Sequence, residues 1–145
     1  MLITDEYRKQ NEQLHDNPEY GARNAGRWVG PVTDLCREYE SFDILDYGCG
    51  KGNLSRSLTK YPVKNYDPAM PEFSTDPAPA EIVVCTDVME HVEPECLGEV
   101  IDHLYKLTGR VLLVNIALRP AKKTLPDGRN AHLNVQNLEY WVNAF

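Results

Sequence analysis

Apolar positions along this chain fall into two alternating patterns: short continuous runs, and stripes at three- and four-residue spacing. The runs are Phe42 to Tyr47, broken by Asp43 and Asp46, then Ile82-Val83-Val84-Cys85 and Val111-Leu112-Leu113-Val114-Asn115-Ile116, with Val63-Lys64-Asn65-Tyr66 a half-polar strand signal after the first. Runs of this kind suit strands of a parallel sheet, which are covered on both faces. The stripes predict helices. Val32, Leu35, Cys36 and Tyr39 share a face from Val29 to Tyr39, and Leu97, Val100, Ile101 and Leu104 share one between Pro94 and Leu107. Leu138, Trp141, Val142 and Phe145 do so from Asn137 to Phe145. Asp5 to His15 reads as a polar helix, and Leu54 to Tyr61 as a helix stopped by Pro62. Strand and helix signals therefore alternate, which predicts an α/β fold with a mostly parallel sheet between two helical layers. Between Pro68 and Glu81, Pro68, Pro71, Pro77 and Pro79 leave room for a turn of helix but hardly for a strand and a helix.

Composition narrows the setting. The 145 residues suit a single domain: N-terminal helices over 1–40, a core over 41–118, and a loop with a last helix over 119–145. A net charge of -7 argues against a protein that coats nucleic acid through an overall basic field. Cys36, Cys49, Cys85 and Cys96 show no C-x-x-C pairing and no histidine at zinc-ligand spacing. They read as reduced thiols of a cytoplasmic protein, with no metal site expected. No segment approaches the ~20 apolar residues of a membrane span.

The candidate chemistry begins where the first run meets glycine, in Asp46-Tyr47-Gly48-Cys49-Gly50-Lys51-Gly52. Glycines at alternate positions let the chain turn sharply and let a ligand lie against bare backbone. A dinucleotide fingerprint would need glycine at position 53, which holds Asn53, and a P-loop would need Ser or Thr after Lys51, which is followed by Gly52. A carboxylate at position 46 would repel a pyrophosphate and attract an ammonium group. The alternative is an ordinary glycine-rich turn between a strand and a helix. Asp67, at the tip of the next predicted strand, is placed to accept hydrogen bonds from ribose hydroxyls, and otherwise forms a turn before Pro68. Asp87 follows the Ile82–Cys85 run, with Glu90 and His91 at helical spacing behind it, either to act in the crevice or to cap and pack a turn.

The Asp-x-Gly-x-Gly-x-Gly pattern, together with Thr86-Asp87-Val88-Met89-Glu90-His91-Val92, resembles the first and the post-fourth-strand motifs of class I S-adenosylmethionine-dependent methyltransferases. The likeness is nearest to small bacterial and phage methyltransferase-domain proteins. It implies a Rossmann-like three-layer α/β/α sheet that here lacks the last two strands. It also implies S-adenosylmethionine as cofactor, held by Asp46, Gly48, Cys49, Gly50, Gly52, Asp67, Thr86 and Asp87, with Tyr20 as an addition. Methyl transfer to a nucleophile then needs alignment above all, and His91 or His132 could serve as a general base.

Arg119, Lys122, Lys123 and Arg129, opposed only by Asp127, make a local basic loop in an acidic chain. They suggest an anionic group on a small-molecule substrate; a solvated loop without such a role is the alternative. A protein or RNA acceptor stays open, although the Asn/Asp-Pro-Pro-Tyr/Phe signature of base amino methylation is missing. The unfilled edge beside the last predicted strand suggests a homodimer or a covering loop. The competing functional reading is a cofactor-binding regulatory protein that depends on a partner and transfers nothing itself.

Overall fold

The computed structural model describes residues 1–15 and 25–145. Four parallel strands, β1 (Ile44–Tyr47), β2 (Val63–Tyr66), β3 (Ala80–Thr86) and β4 (Thr108–Asn115), lie in the order β2-β1-β3-β4. Ile44 is in register with Val63 on one side and Ile82 on the other, and Ile82 with Val111. Alternate residues of each strand face opposite sides, so the apolar runs supply two cores. Ile44, Ile82 and Val84 pack against Val32 and Cys36 of α2 (Val29–Glu38) and Leu54 of α3 (Asn53–Ser57). Leu45, Val83 and Cys85 pack against Leu97, Val100, Ile101 and Leu104 of α4 (Leu97–Leu107) and Trp141 of α5 (Leu138–Ala144). The result is the three-layer α/β/α arrangement that the alternating pattern predicts. Residues 67–79 hold a single 3-10 turn, Pro71–Phe73, in place of a further strand and helix.

Several boundaries differ from expectation. α3 ends at Ser57 rather than Tyr61, because Leu58 leaves the helical backbone (φ -91, ψ 53) and sinks into the core. α4 starts at Leu97, after a turn in which Cys96 N–H donates to the Glu93 carbonyl at 2.9 Å. β4 starts at Thr108, with no loop after α4. Thr108 Oγ1 donates back to the Leu104 carbonyl at 2.7 Å, and a Cβ on Gly109 would stand 3.1 Å from the Ala80 carbonyl oxygen. In α5 only Trp141 is buried, with Ala144 and the following Phe145 partly buried beside it, a stripe rotated from the expected one, and Leu138 and Val142 are exposed. β4 forms one edge of the sheet, with no strand beyond it among the described residues. No described helix is long and apolar enough to cross a membrane.

A third apolar cluster sits above the carboxyl ends of the strands. α1 (Asp5–His15) packs Tyr7, with Ile3 just before it, against Ala69, Leu125 and Ala131. Thr4 caps this helix: its hydroxyl accepts from Tyr7 N–H at 3.2 Å and donates to the buried Glu93 at 2.7 Å. Thr4 N–H donates to the other Glu93 oxygen at 2.9 Å, and Gln10 donates to Asp127 at 3.0 Å. The helix read as merely polar is thus strapped across the top of the sheet.

Candidate functional site

Between this roof and the strand ends lies a cleft of about 1000 Å³. Its floor is the turn after β1. Gly48, Gly50 and Gly52 all adopt positive φ (75°, 51° and 68°), as the alternate glycines predict. At Gly48 the need is also steric, since a Cβ would stand 2.4 Å from a methyl of Val88. Gly48 and Cys49 N–H both donate to the Tyr66 carbonyl, at 2.7 and 3.1 Å, and Gly50 N–H donates to Asp67 Oδ2 at 2.9 Å. Gly52 N–H turns back onto the Cys49 carbonyl. These four donors are spent on the protein's own oxygens, so the turn is stitched to the end of β2 and none of the four is offered to a phosphate.

Two carboxylates face the cleft from that floor. Asp46 is buried, and its pKa is pushed up to about 7, first by burial and then by the charge of Asp67. Asp67 accepts from the Gly50 and Ala69 amides, one on each oxygen. It therefore holds the glycine turn in shape as well as lining the cleft. Gly52 caps α3 and does not line the cleft, so its part is to shape the turn. Cys49 lines the cleft with its thiol pushed far up by burial, which keeps it protonated and unreactive.

Thr86 and Asp87 end β3 on the same wall. Asp87 has φ 57, a strained backbone for a residue with a side chain. Arg27 Nη2 lies 3.1 Å from both Asp87 oxygens and 3.1 Å from Asn115 Oδ1, and Asp87 N–H donates to the Asn115 carbonyl at 3.0 Å. Arg27 and Asn115 were not foreseen. Arg27 sits in a 3-10 turn (Ala25–Trp28) with no motif around it, and Asn115 reads as the polar tip of an apolar run.

The far wall is made by Glu90, His91 and His132, one donor atom of each lying within 4.8 Å of the others. His91 and His132 meet edge to face at 4.8 Å between ring centres. Each ring places Nδ1 on a backbone carbonyl, His91 on Ala131 at 2.8 Å and His132 on Arg119 at 2.6 Å. A carbonyl can only accept, so each Nδ1 carries the proton. His91 is pushed down to about 4, mainly by burial and then by His132. Burial raises Glu90 instead; its Oε1 accepts Ala117 N–H at 3.0 Å.

Of the basic loop, Arg119, Lys122 and Lys123 line the cleft and Arg129 does not. Arg129 is instead tied to Asp127, with Nε and Nη2 each 2.8 Å from Oδ2, because the Pro126-Asp127-Gly128 turn folds the two side chains together. Tyr20 lies outside the described residues. Ile3, Tyr7, Asn11 and His15 also line the cleft. Their four-residue spacing is a stripe that the sequence displayed but that its polar members disguised.

A protein-family model described as a methyltransferase domain matches residues 7–145. A search of the curated proteins found no match.

Proposed function

This chain belongs to the methyltransferase-domain family, and we propose that its cleft binds S-adenosylmethionine and passes the methyl group to a small acceptor carrying negative charge. One observation carries the cofactor: the turn after β1 offers carboxylates rather than free amides. Asp46 and Asp67 stand together at the cleft floor with Asp46 reluctant to ionise. A cation beside Asp46 would relieve both the burial and the mutual repulsion. S-adenosylmethionine supplies an ammonium and a sulfonium, and its ribose hydroxyls can donate to Asp67. A dinucleotide would bring its phosphates to a floor whose amides are already engaged.

The reaction is an in-line displacement at the sulfonium methyl, which depends chiefly on holding acceptor and methyl in line. Arg119, Lys122 and Lys123 on the roof favour an anionic group at the acceptor's far end. His91 holds a proton too weakly to serve as a base near neutrality, so His132 is the better candidate where the acceptor must lose one.

Calorimetric titration with S-adenosylmethionine and S-adenosylhomocysteine, with nicotinamide adenine dinucleotide as control, tests the reading. Micromolar binding of the two sulfur nucleosides, lost in Asp46→Ala and Asp67→Ala, is expected. Equal or tighter binding of the dinucleotide would overturn it.

A further inference from the structure

Glu90, His91 and His132 bring to the cleft donor chemistry that methyl transfer does not require. We propose that Glu90, His91 and His132 form a binding site for a divalent transition-metal ion, a two-histidine, one-carboxylate site open to the cleft.

Three independent features converge there. The first is proximity: donor atoms of all three residues lie within 4.8 Å of one another, although His132 comes from a loop 41 positions further along the chain. The second is tautomer. Both histidines donate Nδ1–H to a backbone carbonyl, which fixes the ring and leaves the lone pair on Nε2. This is how proteins orient imidazole towards a metal. The third is an unmet need. Glu90 is 1 % exposed and its Oε2 is buried with no hydrogen-bond partner. Leaving a carboxylate oxygen without a partner is costly in such surroundings, and a bound cation would remove that cost.

The donor set selects the ion. Two imidazoles and one carboxylate suit zinc, iron, manganese, cobalt or nickel rather than magnesium or calcium, which prefer all-oxygen shells. Donors around a tetrahedral zinc at about 2.1 Å stand about 3.4 Å apart, so binding would draw the three together by up to about 1.4 Å. Three protein ligands leave at least one coordination position for water or an acceptor oxygen. That last role, and only that, rests on the methyl-transfer reading. The ion also changes what the histidines do, because a lone pair given to a metal is not available to take a proton.

The test is titration of the purified protein with Zn²⁺, Mn²⁺ and Co²⁺ against a chromophoric chelator, with the visible spectrum of the Co²⁺ form. One equivalent is expected, with affinity falling at least tenfold in His132→Ala and in Glu90→Gln. The Co²⁺ spectrum should lack a thiolate charge-transfer band. His132→Ala alters a loop side chain outside both sheet cores, and circular dichroism would verify its fold. No binding, unchanged affinity in both variants, or a thiolate band pointing to Cys49 would each overturn the site. Metal binding and S-adenosylmethionine binding are read separately, so either proposal can fail while the other stands.

Discussion

The floor and the roof of the cleft are built by opposite means. The floor is backbone: three left-handed glycines, five engaged amides and two strand ends, all within residues 44–69. The roof is side chains from distant segments, with Tyr7 of α1, Leu125 and Ala131 packed together and Thr4 tied to Glu93. A floor of this kind tolerates changes of side chain but not of backbone freedom, and a roof of this kind does the reverse. On the proposed function the floor would fix where the cofactor sits, and the roof would decide what may join it.

The largest way to probe that contrast is pH. Asp46 ionises near 3.8 when unfolded and near 7 when folded. Its contribution to stability is therefore complete below about pH 4 and is lost as pH rises towards 7, a change of about 4 kcal/mol. His91, pushed down to about 4, works in the opposite direction over much of the same range. The decline is therefore read as the difference between wild type and Asp46→Asn in denaturant unfolding of the ligand-free proteins, with wild type losing ground to the variant from about pH 4 to 7.5. Parallel profiles for the two proteins would break the picture of a strained floor. Next in size is Gly48→Ala, which adds a clash with Val88 to a left-handed backbone and should cost about 3 kcal/mol. Gly128→Ala, in the roof loop with φ 88 but open space around it, should cost only about 1 kcal/mol by the same assay. Equal costs would erase the difference between the two regions. Thr4→Val removes the hydroxyl that links α1 to Glu93 and should cost about 1–2 kcal/mol. Hydrogen exchange should quicken in α1 while the amides of β1 and β3 keep their protection. The smallest effect is expected from Lys122→Glu with Lys123→Glu: a several-fold rise in KM for an anionic acceptor, with kcat and melting temperature unchanged.

How much of this was legible in the sequence follows the same division. The glycine turn, Asp46 and Asp67 lie within one strand-helix-strand unit, so local spacing placed all of them but Gly52 on the cleft. Apolar runs found β1, β3 and β4 because each is largely apolar, while β2, an edge strand with Lys64 exposed, was marked only by Val63 and Tyr66 after Pro62. The roof was illegible in proportion to its chain separation. Nothing near His132 announces that it will meet His91, and nothing near Arg27 announces Asp87. α5 was misread for a subtler reason: its apolar residues fill two overlapping stripes, and only packing against β3 and α4 shows which one is buried.

The strand order has a kinetic consequence. With every neighbour parallel, no hairpin can seed the sheet, and each pairing must wait for a crossover to close. The shortest closure joins Ile44 to Val63, that from Ile82 to Val111 is longer, and the pairing of Ile44 with Ile82 is the longest. Loop-closure entropy then favours β1-α3-β2 as the first unit to assemble, the unit that carries Asp46, the glycine turn and Asp67. A nascent chain would shape its ligand floor early, and α1, made first, would wait for residues 121–133 before it had anything to cover.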